Sequence, residues 1–223
     1  MGSRAQNVFW WSVVLLICSA LPVQKSYAAL VTFSFDGTLS SVDSPLSGTF
    51  TVGQHFSGFY TFESVTPDDD PSSSTGLYRN AVTALQVSIG GYNATGPVLH
   101  PDLAGMKSDI QMNLYQSMDS YLMSAGFSGS ASGMPPKILT LSLNALPHTL
   151  FSDDSIPLLP PSSTIPESQA SHLFLGFGPS SLYSSAGIAG DITSLTVVPL
   201  PASAVLFPTG LSLLAAAARR LRR

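Results

Sequence analysis

The sequence has very little cysteine and tryptophan, and the few copies lie near the amino terminus. Cys18 is the single cysteine of the 223 residues, and Trp10 and Trp11 are the two tryptophans. If the first 28 residues are removed, the remaining chain has no thiol. Such a chain can form no disulfide, no cysteine-ligated metal site and no cysteine nucleophile. This composition suits an exported protein, because a stray thiol is a liability in an oxidising compartment.

Charged residues are also scarce, and most of those in residues 29–197 are acidic. Residues 29–197 contain three basic residues, Arg79, Lys107 and Lys137, against 13 Asp and Glu, a formal charge of −10. The whole-chain charge of −4 hides this imbalance, because the other six basic residues lie in the two terminal segments. An acidic body without a basic patch argues against binding to nucleic acid or to anionic lipid surfaces. We therefore expect no nucleic-acid partner.

The amino terminus has the pattern of an export signal. Arg4 precedes an apolar run from Val8 to Val23, and a segment of small residues then ends in Ala28 and Ala29. A basic start, an apolar run and a small-residue cleavage site together define a secretory signal peptide. We predict a signal helix in residues 1–28, passage through the Sec translocon and cleavage between Ala28 and Ala29. The alternative is an uncleaved membrane anchor, for which the apolar run is short.

The carboxyl terminus carries a second membrane signal. Residues 202–218 contain no charge. As a helix they would be about 25 Å long, against a hydrocarbon core of about 30 Å. Four arginines follow them: Arg219, Arg220, Arg222 and Arg223. By the positive-inside rule these arginines stay on the cytoplasmic side. We predict a short transmembrane helix that holds the body outside the inner membrane until the tail is processed.

Two prolines at alternate positions precede this apolar run. The segment reads Val198, Pro199, Leu200, Pro201, Ala202 and Ser203. Together with the apolar run and the arginine cluster, it resembles the PEP-CTERM sorting signal of Gram-negative bacteria, in the variant with Leu between the prolines. The resemblance covers residues 198–223 and implies recognition and cleavage by an exosortase, in association with exopolysaccharide. It implies an inner-membrane intermediate with the body in the periplasm, followed by the cell surface or the extracellular space. The alternative is a plain carboxyl-terminal anchor helix.

The body between the two signals alternates apolar and polar residues with a period of two. Leu139, Leu141 and Leu143 are one example, and the pattern is typical of half-buried strands. It occurs in residues 31–35, 56–62, 85–89, 110–114, 139–143, 173–177 and 193–197, with 121–127 as a further candidate. Because two sheets can bury each other's apolar faces, we predict an antiparallel β-sandwich, jelly-roll-like, in residues 29–197. Gly90-Gly91 predicts a hairpin turn. Residues 78–85 are the best helix candidate, and they are short.

Few residues of the body are spaced like catalytic or metal-binding residues. Asp68, Asp69 and Asp70 lie in a long loop and could supply oxygen ligands to calcium, but their spacing differs from that of an EF-hand loop. The histidines have no spacing typical of a zinc site: His55, His100, His148 and His172. No Gly-x-Ser-x-Gly elbow occurs. We predict no catalytic residue and no cofactor, with calcium at the three aspartates as the alternative.

Together these observations favour a non-enzymatic, exported surface or extracellular-matrix protein in three parts. They are a signal peptide (residues 1–28), an exported β-domain (residues 29–197) and a sorting tail (residues 198–223). One alternative is a carbohydrate-binding β-sandwich whose tyrosines stack on sugar rings. The tyrosines available for this are Tyr60, Tyr78, Tyr92, Tyr115, Tyr121 and Tyr183. Another alternative is a hydrolase, which would need titratable side chains converging in a pocket.

Overall fold

The computed structural model describes residues 29–99, 108–114, 117–147, 150–160, 171–178 and 185–199. In these residues the protein is all-β, with one 3-10 turn at Ser44–Leu46 and no α-helix. The strands are β1 (Leu30–Val42), β2 (His55–Glu63), β3 (Thr75–Tyr78), β4 (Val82–Ile89), β5 (Tyr92–Gly96), β6 (Asp109–Leu114), β7 (Asp119–Gly126), β8 (Pro136–Ala145), β9 (Ser171–Phe177) and β10 (Ala186–Val197). The predicted all-β class is confirmed. The predicted signal helix and transmembrane helix lie outside the described residues.

The ten described strands form one antiparallel sheet in the order β3-β6-β7-β8-β9-β10-β1-β2-β4-β5. The sheet curls so that its two halves face each other like the layers of a sandwich. Most neighbours in the sheet are also neighbours along the chain, and the last strand, β10, pairs with the first, β1. A jelly roll is instead built from two Greek keys. The jelly-roll part of the prediction is therefore not what the described strands show, because consecutive strands pair directly.

Alternation along each strand decides which side chains form the core. In β8 every second residue is buried, including Leu139, Leu141 and Leu143, while Thr140 and Ser142 between them are partly exposed. Successive side chains of a strand point to opposite faces of the sheet. Burial of one leucine side chain contributes about 1.5–3 kcal/mol, so this register is strongly preferred over one shifted by a single residue. The period-two interpretation of the sequence is confirmed.

Two buried tyrosines connect the two halves of the sheet. Tyr60 on β2 and Tyr121 on β7 have no exposed surface, and their hydroxyl oxygens lie 2.9 Å apart in a hydrogen bond. These strands are not neighbours in the sheet, so the contact exists because the sheet curls. Burial raises the pKa of both hydroxyls. Each hydroxyl therefore stays neutral to a higher pH than a free tyrosine does, and it supplies the hydrogen-bond partner that a buried polar group requires.

A cluster of four aromatic side chains joins four separate segments of the chain. We call Phe50, Tyr92, Phe127 and Phe177 the aromatic cluster. The Phe177 ring centroid lies 6.1 Å from Phe50, 6.2 Å from Tyr92 and 5.5 Å from Phe127. Edge-to-face and tilted pairs of this kind contribute about 0.5–1.5 kcal/mol each beyond their buried area. Phe177 thereby ties β9 to β5, to the loop before β2 and to the segment after β7.

The core also depends on two glycines that make room for one phenylalanine ring. Gly37 on β1 and Gly190 on β10 lie beside the fully buried ring of Phe56 on β2. A methyl group on either glycine would overlap that ring, and at Gly37 it would also meet the backbone oxygen of Asp191. The register of β1 against β10 shifts between Asp36 and Gly37. This irregularity and the two missing side chains together accommodate Phe56.

Residues 78–85, the helix candidate, form the end of β3 and the start of β4 instead. The buried positions are Tyr78, Ala81, Val82 and Leu85, a spacing that also marks one face of a helix. Between β3 and β4, Asn80 adopts a left-handed backbone conformation with a φ of 57°, and its backbone N–H donates to Asp109 Oδ1 at 2.8 Å. This turn shifts β4 relative to β3, so the buried residues of the two strands follow each other at the spacing of a helix face.

Candidate functional site

Both ends of the body leave the sheet at the same place. We call residues 29–30, 63–65 and 197–199 the exit end. Phe33 on β1 pairs with Val197 on β10, and the N–H of Val198 donates to the carbonyl of Thr32 at 2.9 Å. On the other side of β1, the N–H of Ser64 donates to the carbonyl of Ala29 at 3.1 Å. The predicted signal cleavage site and the predicted sorting motif therefore lie at the same end of β1.

The predicted sorting motif starts where the described part of the sheet ends. Strand β10 ends at Val197, and the N–H of Val198 donates the last backbone hydrogen bond that the described residues after β10 make to β1. Among the residues of the signal predictions, Ala29, Val198 and Pro199 lie in the described chain. The others lie outside it: Ala28, Leu200, Pro201, Ala202, Ser203, Arg219, Arg220, Arg222 and Arg223.

The three consecutive aspartates cover the open edge of β3. Asp68 Oδ1 accepts the N–H of Leu77 at 2.8 Å and the N–H of Asp70 at 2.9 Å. The N–H of Asp69 donates to the carbonyl of Leu77 at 2.9 Å, and Asp69 Oδ2 lies 3.3 Å from Arg79 Nε. In the described chain, no three His, Cys, Asp or Glu side chains are grouped so that they could hold a metal ion. Calcium binding at this loop stays a prediction, and the observed contacts give the loop a structural role at an edge that would otherwise be open.

Replacing Asp68 by alanine is expected to lower the free energy of unfolding by about 1–2 kcal/mol, because two backbone N–H groups lose their acceptor. Asp68→Asn is the matched control, since its amide oxygen can accept both bonds. Chemical denaturation measures the stability, and light scattering reports association through the uncovered edge of β3. Equal stability of the two variants would show that the loop does not depend on this acceptor.

A second acidic loop lies against the same strand. The hydroxyl of Tyr78 donates to the carbonyl of Asp154 at 2.6 Å. Burial, helped by the carboxylates of Asp68 and Asp154, raises the pKa of Tyr78 to about 12. The N–H of Ser155 donates to Asp153 at 2.9 Å and lowers the pKa of that carboxyl. This loop also lines a groove of about 320 Å³, and among the described residues that line it, Asp153 is the one ionisable residue.

Two His–Asp pairs lie on the outer face of the sheet. His172 Nδ1 is 3.0 Å from Asp191 Oδ1, and Ser40 Oγ donates to the same oxygen at 3.5 Å. His55 Nε2 is 3.6 Å from Asp36 Oδ1. The four side chains are 47–66% exposed, so each pair is worth at most about 1 kcal/mol. Ser40 contacts the aspartate and not the imidazole, which differs from the order of a Ser–His–Asp triad.

The structure places the described tyrosines of the carbohydrate alternative in or against the core. Tyr60 and Tyr121 are fully buried, Tyr78 is nearly so, and Tyr92 packs against the core beside Phe50. Their rings contact protein, whereas stacking on a sugar needs an exposed ring face. Two further tyrosines and two histidines lie outside the described residues: Tyr115, Tyr183, His100 and His148.

No family model, curated protein or solved structure matches the chain. Nor does the part of the chain that the structure describes contain a helix long and apolar enough to cross a membrane. The functional interpretation therefore depends on the chain's own residues and on the geometry of the exit end.

Proposed function

We propose that the chain is an exported surface or extracellular-matrix protein whose carboxyl-terminal segment is a sorting tail. An exosortase-type membrane protease cuts the tail, and the released body acts without catalysis in association with exopolysaccharide. The observation that carries the proposal is the order of three features in residues 198–223: the paired prolines, the uncharged run and the terminal arginines. The exit end supports it, because a cut after Val198 removes none of the described core residues.

Each part of the tail has a physical role in this proposal. Pro199 and Pro201 fix an extended backbone, which a protease groove can bind at little cost in conformational entropy. The described ladder between β1 and β10 ends at Val197, before the paired prolines. The arginines hold the tail with the body on the outer side of the inner membrane. The body, once in the periplasm, continues to the cell surface or the extracellular space.

The test is the double variant Pro199→Ala and Pro201→Ala, followed by intact-mass measurement of the protein purified from its host. We expect the native protein to have lost the tail and the variant to retain it. A matched control is Pro67→Ala with Pro71→Ala, because these prolines are exposed in the acidic loop. Unchanged processing of the Pro199 and Pro201 variant would contradict the proposal. So would a native protein that keeps its arginines in the inner membrane.

The proposed role of the body is passive. Its support is that the described aspartates and buried tyrosines are engaged in contacts within the fold, such as Asp68 with Leu77 and Tyr60 with Tyr121. The carbohydrate-binding and hydrolase alternatives stay predictions, and no contact among the described residues favours either. A glycan array with the purified protein addresses the first of them.

A further inference from the structure

Three exposed aliphatic side chains lie at the exit end. Leu30 is 47% exposed, Val65 52% and Val198 41%. Leu30 pairs with Glu63 across β1 and β2, and the turn that follows β2 is closed by the N–H of Thr66, which donates to the Glu63 carbonyl at 3.3 Å. Val65 lies within this turn, next to the start of β1. The exit end thus presents apolar side chains from three separate segments of the chain.

The length of the adjoining chain limits how far this end can lie from a membrane. The uncharged run begins at Ala202, four residues after Val198. A fully extended chain spans at most about 3.6 Å per residue, so Val198 lies within about 14 Å of the start of the run. The headgroup layer on each side of the hydrocarbon core is about 5–8 Å thick. A tail inserted in a bilayer therefore holds the exit end at or near the headgroups.

We propose that the exit end docks on the surface of a zwitterionic bilayer, with Leu30, Val65 and Val198 in the headgroup layer and the sheet standing end-on. This inference rests on the proposed function, since it requires the tail to be in the membrane. Moving exposed aliphatic side chains out of water lowers the free energy of the system. The formal charge of −10 on residues 29–197, and Glu63 beside Leu30, disfavour an anionic surface. Zwitterionic headgroups instead offer an ammonium group to this carboxylate.

End-on docking puts the opposite end of the β1–β2 hairpin far from lipid. From His55 to Glu63, β2 advances by about 27 Å at roughly 3.4 Å per residue. The loop before His55 contains Val52, another exposed valine. Val52 and Val65 therefore have the same side chain and similar exposure, but they differ in distance from the exit end. They form a matched pair for a depth measurement.

The experiment uses residues 29–223, the chain that remains after the predicted signal cleavage and that contains no cysteine of its own, with Val65→Cys or Val52→Cys labelled by the fluorophore NBD. Each protein is reconstituted into phosphatidylcholine vesicles, with and without a headgroup-nitroxide lipid as quencher. Vesicle flotation is measured on the same samples. We expect the chain to float with the vesicles. We expect the quencher to remove most of the emission of the label at position 65 and to leave the emission of the label at position 52 unchanged.

Every other outcome overturns a defined part of the argument. A chain that floats with no quenching at position 65 refutes docking of the exit end and leaves the tail assignment intact. Equal quenching at both positions refutes the end-on orientation, because the sheet would then lie flat. A chain that does not float refutes the membrane tail of the proposed function, and the docking with it.

Discussion

Gly37→Ala is expected to destabilise the protein by about 3 kcal/mol or more, at the upper end of the effects of overpacking a core. The added methyl group would overlap the ring of Phe56 and the backbone oxygen of Asp191. Neither group can move away easily. The ring is fully buried, and Asp191 belongs to a ladder with β1 on one side and β9 on the other. The variant therefore has to separate strands in the middle of the sheet or move a core ring.

Gly91→Ala is the matched control for this effect. Gly91 lies in the turn between β4 and β5, and a methyl group there would meet nothing within 4 Å. We expect a change of no more than about 0.5 kcal/mol, as for surface substitutions away from special features. Urea denaturation of both variants measures the difference through the transition midpoints. If the two variants are equally stable, the packing of Phe56 against the glycines is not as described.

Phe177→Ala is expected to lower the free energy of unfolding by about 3–5 kcal/mol, the usual range for a buried phenylalanine. Phe177 is fully buried and contacts the other three members of the aromatic cluster, Phe50, Tyr92 and Phe127. The substitution leaves a cavity at the point where β9, β5 and two loops meet. Because these segments are distant in sequence, the cavity cannot be closed by moving one of them alone.

Phe59→Ala provides the comparison for Phe177→Ala. Phe59 lies between the buried residues Phe56 and Tyr60 on β2 but is partly exposed, so its truncation removes less buried surface. We expect a loss of about 1 kcal/mol, from the smaller apolar area involved. Thermal and urea unfolding of both variants provide the measurement. A similar loss of unfolding free energy for Phe59→Ala would mean that the aromatic cluster stabilises the fold no more than a partly exposed phenylalanine does.

The strands with regular alternation were predictable from sequence. Eight of the ten described strands contain a segment predicted by its period of two, because burial of one face imposes that pattern on each strand: β1, β2, β4, β6, β7, β8, β9 and β10. The hairpin at Gly90-Gly91 is also confirmed, and Gly90 has the positive φ of 57° that such a turn requires. These features depend on local sequence alone.

The two short edge strands were not predictable in the same way. β3 has four residues and β5 has five, and each contains glycine and few apolar residues. They become strands because β6 and β4 offer them a hydrogen-bonding edge, which is a tertiary effect. The strand order was not predictable for a related reason. Alternation says which face of a strand is buried, but it does not say which strand lies beside it.

The candidate site was predictable only in part. The sequence singles out Asp68–Asp70 as a cluster, but the partner of Asp68 at the edge of β3 is Leu77, nine residues away. The tyrosines suggested a sugar-binding surface, because residue type alone does not show whether a tyrosine is buried. Tyr60 and Tyr121 are 61 residues apart in sequence and meet only through the curl of the sheet. The shared exit of the two chain ends likewise follows from the pairing of β1 with β10.

This pairing sets the time at which the body can finish folding. β10 lies between β9 and β1 and joins the two halves of the described sheet by continuous strand pairing. Isolated hydrogen bonds add to this connection, such as those between Tyr60 and Tyr121 and from the N–H of Val98 to the carbonyl of Gly126. In the proposed export, which starts from the amino terminus, residues 186–197 arrive after all the other described strands. Until then the two halves of the sheet would lack this strand pairing. Arrival of the carboxyl-terminal strand would thus act as the trigger for closure, and a protease waiting at the membrane would meet a newly completed domain.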